Sequence, residues 1–185
     1  DKIVKSPNID KLANSGTLFT HAYANQAVCA ASRCSFFTGL RPDRTKVHDL
    51  KTITRDVTPW ITTLPEHFKN NGYITAGTGK IYDPRSVDKK SDKPSWSLPF
   101  RLYNLDYNPD FPQPVSAAYQ GDAYHKALKE IREAGIKGYG PTLKELVKRN
   151  LHNATECADV PDDAYTDGAI RKEGIKFLKK FKKQD

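Results

Sequence analysis

The chain has 185 residues, of which 37% are hydrophobic, and its formal net charge is +8. This length suits one domain or a piece of a larger one, and the apolar content argues against global disorder. No apolar run approaches about 18 residues, so a membrane-spanning helix is not expected. Basic chains attract anionic partners such as nucleic acids, membrane surfaces and sulfated glycans, but much of the excess here is a C-terminal lysine cluster typical of a solvated helix end.

Helices and strands are predicted to alternate in the first half of the chain. A proline in the first turn and Gly16 at the end predict a short helix between them. Alternating side chains predict a strand over 17–23, and a loop leads from it to a second helix over 30–38. The same order recurs as a helix over 64–70 and a strand over 73–78. This alternation favours an α/β layer architecture.

The second half is predicted to be helical after a long irregular excursion. Residues 83–119 are rich in proline, aspartate, serine and aromatic side chains. Long loops in compact domains tend to be functional or poorly ordered. Beyond this excursion, apolar periodicity predicts helices over 121–134, 142–151 and 162–182.

Cys29 is predicted to lie at a strand–loop–helix junction, and Lys80 follows the end of the second predicted strand. Active sites of α/β sheets gather at such strand ends. From the residues alone, Cys29 is a buried thiol, a zinc ligand, half of a disulfide, or a nucleophile activated by a helix N-terminus. The zinc interpretation lacks a recognisable second ligand pair. Three cysteines allow one internal bridge at most, and pairing of Cys34 with Cys157 stays open.

One family explains why Arg33 follows Cys29 by one helical turn. The stretch SPNIDKLANSGTLFTHAYANQAVCAASRCSFFTGLRP resembles the N-terminal signature of the sulfatases, and FKNNGYITAGTGKIYDP, PSWSLPF and DVPDDAYTDGAI resemble the same family. The resemblance is dense over residues 5–100 and resumes near Asp159. It implies a sulfatase/alkaline-phosphatase-like α/β sandwich with a central mixed, largely parallel sheet. It also implies that residues 1–185 are an internal fragment of the N-terminal catalytic domain, incomplete at both ends.

The resemblance implies a sulfuric ester hydrolase acting on glycosaminoglycan-type sugars. In this family a formylglycine-generating enzyme oxidises the motif cysteine, here Cys29, and the hydrated aldehyde attacks sulfur beside a calcium ion that it helps to bind. Arg33 would then hold the hydrate, and Lys80 would bind an oxygen of the sulfated glycan. Asp83 falls at a substrate-binding position. Most of the calcium ligands are expected to lie outside this chain, which alone should turn over little or no sulfate ester.

Two positions depart from the family's pattern. The central proline of the cysteine motif is Ala31 here, although the proline form is the usual substrate of the eukaryotic maturation enzyme. The third residue after Lys80, a histidine in the most similar family members, is Asp83. A carboxylate at this position would repel a sulfate group unless it were protonated or turned away.

Other functions compete with the sulfatase interpretation. One is a phosphate or phosphonate ester hydrolase of the same superfamily, and another is a catalytically silent secreted relative that binds anionic glycans or matrix. Nucleic-acid binding ranks last because no recognisable reading motif accompanies the lysines. Asn153 begins an N-glycosylation sequon, which together with the resemblance predicts a lysosomal or secreted protein.

Overall fold

The computed structural model describes residues 3–88, 91–100, 119–161 and 164–182. Helices joined by irregular segments make up this part of the chain, and none of its helices is long and apolar enough to cross a membrane. The α-helices are α1 (Pro7–Ser15), α2 (Cys29–Thr38), α3 (Pro42–Thr45), α4 (Thr54–Val57), α5 (Leu64–Asn70), α6 (Asp122–Glu133), α7 (Tyr139–Lys148) and α8 (Thr166–Phe181), and a 3-10 turn covers Lys93–Ser95.

The predicted helices are confirmed, with shifts of a few residues at several ends. Helix α5 has the predicted bounds because Thr63 and Glu66 form a capping box at its start. Helix α2 ends where Gly39 adopts a left-handed conformation with φ of 69°. Helix α7 begins three residues before its predicted start, and residues 162 and 163 of the last predicted helix lie outside the described residues. The sequence analysis missed the short helices α3 and α4.

The two predicted strands are not confirmed in the described part of the chain. Residues 17–23 are exposed, and among the described residues no segment pairs with them. Within residues 73–78, the carbonyl of Thr75 accepts the N–H groups of Ser97 at 2.9 Å and Leu98 at 3.2 Å, and Thr78 forms an isolated β-bridge. An extended segment becomes a strand only where a neighbouring backbone completes a ladder. The sheet of the predicted α/β sandwich is therefore not seen in the described part of the chain.

Three apolar clusters form the core of the described ranges. Small residues of α2 pack against Val47 and Ile61, and helices α6 and α7 pack around Ile131. The third cluster joins Tyr82 and Trp96 with neighbouring aromatic rings. Close packing of small and aromatic side chains removes apolar surface from water, which is the main force holding such segments together.

The predicted excursion over 83–119 is irregular but partly buried. Residues 83–88 and 91–100 contribute Val87 and Trp96 to the core, while residues 101–118 lie outside the described residues. Arg55 fixes this segment, because its guanidinium bonds to Asp92 and, at 2.8 Å, to Glu66 of α5. The hydrogen bonds that Arg55 donates to these carboxylates raise its pKa against the opposing effect of burial. The segment that follows Lys80 is thus anchored.

Two glycines let the chain turn into the site. A Cβ atom on Gly77 would lie 2.7 Å from the rings of Phe100 and Trp96. Gly79 has φ of +74°, and a Cβ atom there would lie 3.0 Å from Ile170 of α8. Glycine is favoured where the backbone needs a positive φ and a close approach. These contacts set the position of the next residue, Lys80.

Candidate functional site

Cys29 is the first residue of α2. Val28 precedes it in an extended conformation, and the first helical hydrogen bond runs from the Ser32 N–H to the Val28 carbonyl at 2.9 Å. The earlier N–H groups of α2 have no side-chain cap, so the helix end presents donors and positive potential near the thiol. Cys29 is half-buried and is not part of a disulfide.

The other two cysteines are also free, which removes the disulfide interpretation. Cys157 is exposed. Cys34 is the buried thiol of the chain: Thr54 donates to its sulfur at 3.7 Å, and burial raises its pKa. Cys29 and Cys34 therefore lie in different environments although they are five positions apart.

Arg33 lies one turn after Cys29 and reaches the segment that carries Lys80. Its Nη1 group donates to the backbone carbonyls of Lys80 and, at 2.8 Å, of Ile81. A guanidinium offers several donors in a fixed plane, so one side chain can hold two carbonyls. In this structure Arg33 links α2 to the turn after Gly79.

Asp83 is the centre of the cluster around Cys29. The Cys29 thiol donates to Asp83 Oδ2 at 2.9 Å, and Lys80 Nζ lies 3.2 Å from the same oxygen. Arg85 binds both carboxylate oxygens, with Nε 2.9 Å from Oδ1 and Nη2 3.0 Å from Oδ2. The Arg85 backbone N–H also donates to Oδ1 at 3.1 Å. A single buried carboxylate thus gathers a thiol and two cations.

The electrostatics of this cluster favour the charged forms. The Arg85 guanidinium, followed by the Cys29 thiol and Lys80, holds the pKa of Asp83 far below its usual range despite burial. The Asp83 carboxylate in turn raises the pKa of Arg85. Asp83 is therefore an anion at any pH at which the protein would work.

The structure brings together three of the residues singled out in the sequence, Cys29, Lys80 and Asp83. Sequence reasoning missed Arg85, whose Nη2 also lies 3.6 Å from the Cys29 sulfur. The sequence signal for Arg85 was its positive charge two positions after the negative charge of Asp83, within the stretch interpreted as an irregular excursion. Asn153, the predicted glycosylation site, is exposed between α7 and α8.

The residues described here do not fit a metal centre. No group of three or more histidine, cysteine, aspartate or glutamate side chains able to hold a metal occurs in the described ranges. Calcium needs about six to eight oxygen ligands. The carboxylate that touches Cys29 has both oxygens bound by the cations of Lys80 and Arg85. The calcium ion that the sequence resemblance implies therefore has no ligand set in this cluster.

Comparison with known proteins agrees with the sequence resemblance. The profile of the family described as Sulfatase matches residues 1–181. The chain is 36% identical over 182 residues to the iduronate 2-sulfatases of Mus musculus and Homo sapiens, which covers 98% of the chain and 29% of each relative. A sulfatase of Formosa agariphila is 38% identical over 96 residues, covering 49% of the chain and 19% of that protein. The chain thus spans under a third of these curated relatives.

Proposed function

This chain belongs to the sulfatase family, and on that basis we propose that it is part of a hydrolase of sulfate esters. The observation that carries the proposal is the placement of Cys29 at the start of α2, with Lys80 beside it on the shared carboxylate of Asp83. A helix N-terminus and a lysine both favour an anionic group next to a nucleophile. Iduronate 2-sulfatases are among the relatives, and we extend the proposal to sulfated, glycosaminoglycan-type sugars.

Cys29 is proposed as the residue that maturation converts to formylglycine. One hydroxyl of the hydrated aldehyde would attack sulfur and displace the sugar alcohol, and deprotonation of the second hydroxyl would then expel sulfate and regenerate the aldehyde. The half-buried position of Cys29 leaves its side chain open to an approaching ligand. The thiol's contact with Asp83 offers a hydrogen-bond acceptor that would orient a hydroxyl at the same place.

Lys80 is proposed to bind the sulfate group, and Arg33 is proposed to position Lys80. The side chain of Lys80 is 39% exposed, so its ammonium group can meet a sulfate oxygen from the solvent side. Arg33 holds the backbone of Lys80 and Ile81 and keeps this lysine next to Cys29. This arrangement presents a positive charge where negative charge develops on the sulfate oxygens.

A secretory route, lysosomal or extracellular, follows from the sequon as part of the same proposal. Asn153 is exposed and stands in an irregular segment, as a glycan acceptor must. An Asn153→Gln variant expressed in eukaryotic cells should migrate faster than the unchanged protein, and enzymatic removal of N-glycans should abolish the difference. Equal migration before glycan removal would contradict this part of the proposal.

The decisive experiment is mass spectrometry of the tryptic peptide over residues 12–33, from protein made in cells that contain a formylglycine-generating enzyme. We expect a lower mass, from conversion of the Cys29 thiol to an aldehyde that a hydrazide traps. An Ala31→Pro variant is the matched control, because it restores the proline of the family's motif and the Ala31 N–H precedes the first helical hydrogen bond. An unmodified cysteine in both proteins would contradict the proposal.

The activity is tested on the mature protein that contains this chain, with an aryl sulfate and an aryl phosphate as paired substrates. We expect hydrolysis of the sulfate ester and loss of that activity in a Cys29→Ala variant. Preferred hydrolysis of the phosphate ester would support the phosphate ester hydrolase instead. An aldehyde without hydrolysis of either substrate would favour the catalytically silent relative.

A further inference from the structure

Asp83 is an uncommon neighbour for a site that would bind an anion. Its side chain is fully buried, whereas the side chains of Lys80 and Arg85 around it are 39% and 55% exposed. The carboxylate therefore lies beneath the two cations, and the cations face the solvent beside Cys29. A ligand that reaches Cys29 meets Lys80 and Arg85 first and the charge of Asp83 behind them.

Both cations keep donors for a ligand while they hold Asp83. An ammonium group has three N–H donors, and Lys80 directs one of them at Asp83 Oδ2. A guanidinium has five, and Arg85 directs Nε and Nη2 at Asp83. Arg85 Nη2 also lies 3.6 Å from the Cys29 sulfur, so this side chain is next to the atom at which chemistry would occur. Arg85 is thus placed to bind an anion together with Lys80.

The charge of the buried carboxylate acts differently on different anions. Coulomb energy is proportional to the charge of the ligand, so Asp83 repels a dianion twice as strongly as a monoanion in the same position. A sulfate monoester carries one negative charge, whereas a phosphate monoester carries nearly two at neutral pH and above. Arg33 adds positive charge nearby, and its attraction to each ligand is likewise proportional to the charge of the ligand. Its Nη1 group is directed at backbone carbonyls.

We propose that Lys80 and Arg85 form the anion-binding pair beside Cys29 and that Asp83 shifts the selectivity of this pair away from dianionic phosphate esters and towards monoanionic sulfate esters. Asp83 has two effects: it holds both cations in place, and it removes one unit of the positive charge they present. The first effect is common to all anions, whereas the second disfavours dianions. The inference deepens the proposed hydrolysis of sulfate esters and rests on it for the choice of substrate.

The test measures anion binding to the chain with its thiols free, so that it does not depend on maturation or turnover. Iodoacetamide is neutral and alkylates Cys29, whose modification is followed on the tryptic peptide over residues 12–33. Methyl sulfate and methyl phosphate at about pH 8, where the phosphate ester is a dianion, are the two protecting ligands. The measured quantity is the ratio of the concentrations that halve the alkylation rate.

Two variants of this cluster are expected to move the ratio in opposite directions. Asp83→Asn should improve protection by methyl phosphate about tenfold relative to protection by methyl sulfate, because a repulsive charge is removed. Arg85→Gln should weaken protection by both ligands and weaken methyl phosphate more. Arg85 is mostly exposed, so this variant should fold even if Asp83→Asn does not. Asp43→Asn on α3 makes the same change in net charge at an exposed position and should leave the ratio unchanged.

An unchanged ratio in folded Asp83→Asn would overturn the selectivity assigned to Asp83, and an unchanged ratio in Arg85→Gln would overturn the place of Arg85 in the pair. Absence of protection by either ligand in the unchanged chain would overturn the anion-binding pair itself. Both results are distinct from failure of the proposed hydrolysis, which appears as an unmodified Cys29 after maturation. The selectivity can therefore be wrong while the sulfatase chemistry stands.

Discussion

The guanidinium of Arg33 donates a hydrogen bond to the main-chain carbonyl of Lys80, 47 residues further along the chain. The same nitrogen also donates to the carbonyl of Ile81 at 2.8 Å. One side chain of α2 therefore determines where the turn after Gly79 lies. These hydrogen bonds tie the backbone of Lys80 to the helix that begins at Cys29.

Replacement of Arg33 should loosen this link. Arg33→Ala leaves two carbonyls without a charged donor, and hydrogen bonds to charged groups contribute more than neutral ones. We expect the free energy of unfolding to fall by roughly 1–3 kcal/mol. Urea denaturation followed by tryptophan fluorescence measures the change. Arg41→Ala removes an exposed arginine of the same charge and should have a much smaller effect, and equal losses would contradict the linking role.

Gly79→Ala should destabilise the chain more than Gly39→Ala. Both glycines have a positive φ, so alanine is strained at either position by about 1–2 kcal/mol. A Cβ atom on Gly79 also meets Ile170 at 3.0 Å, whereas nothing lies within 4 Å of one on Gly39. Thermal denaturation of both variants gives the comparison. Ile170→Ala should relieve part of the added cost in the double variant, and strict additivity would count against the contact.

Glu156 should make stability depend on pH. Burial opposes its ionisation, but the N–H groups of Gln120 and Gly121 and the Tyr165 hydroxyl bind the carboxylate and leave its pKa lowered. A lowered pKa stabilises the fold above the unfolded pKa of about 4.3, and this contribution is lost as pH falls through the folded value. Glu156→Gln should therefore lose less stability than the unchanged chain between about pH 7 and about pH 3.5.

Urea midpoints at the two pH values measure this difference. The other carboxylates titrate in both proteins and cancel in the comparison, provided that Glu156 acts independently of them. At neutral pH the glutamine variant should be the less stable protein, because it lacks the charge that strengthens the hydrogen bonds to Gln120 and Gly121. Parallel pH profiles for the two proteins would contradict the assignment.

Ser35→Ala should be tolerated although Ser35 is 2% exposed. Its hydroxyl has no hydrogen-bond partner within the described ranges, and an unpaired buried hydroxyl is unfavourable. Alanine also has the higher helix propensity at this position of α2. We expect unchanged stability or a gain of up to about 1 kcal/mol in denaturant unfolding.

Thr58→Ala is the contrasting variant, because Thr58 is equally buried and donates to the Thr45 carbonyl at 2.7 Å. Its removal should cost roughly 1–3 kcal/mol, since the carbonyl would lose its partner. Similar destabilisation by Ser35→Ala would indicate a hydrogen bond to Ser35 that the described residues do not show.

Local signals explain why the helices could be predicted and the strands could not. Helix α2 ends at Gly39 and α5 begins at the Thr63 capping box, and both signals are local in the sequence. A strand depends on a partner that local sequence does not specify. Residues 73–78 have the alternating pattern of a strand, but the carbonyl of Thr75 accepts its hydrogen bonds from the N–H groups of Ser97 and Leu98.

The candidate site could also be predicted only where its contacts are local in the sequence. The spacing of Cys29 and Arg33 on one helix follows from the sequence, and Gly79 before Lys80 indicates a turn. The contact between Cys29 and Asp83 joins residues 54 positions apart, and no periodicity encodes it. Arg85 was missed because its importance comes from the carboxylate it binds and not from its own neighbours in the sequence.

Helices α5 and α6 differ in what they need before they can form. Thr63 and Glu66 cap α5 from within its own first turn. Helix α6 has no side-chain cap of its own at Gly121, and the nearby N–H groups are bound by Glu156, which lies 35 and 36 positions later. The capping contacts of α5 are local, although a helix of 7 residues becomes stable only when it packs against the rest of the fold. The start of α6 gains its capping carboxylate only when the chain beyond α7 lies against it, so the two helix starts depend on contacts of very different sequence separation.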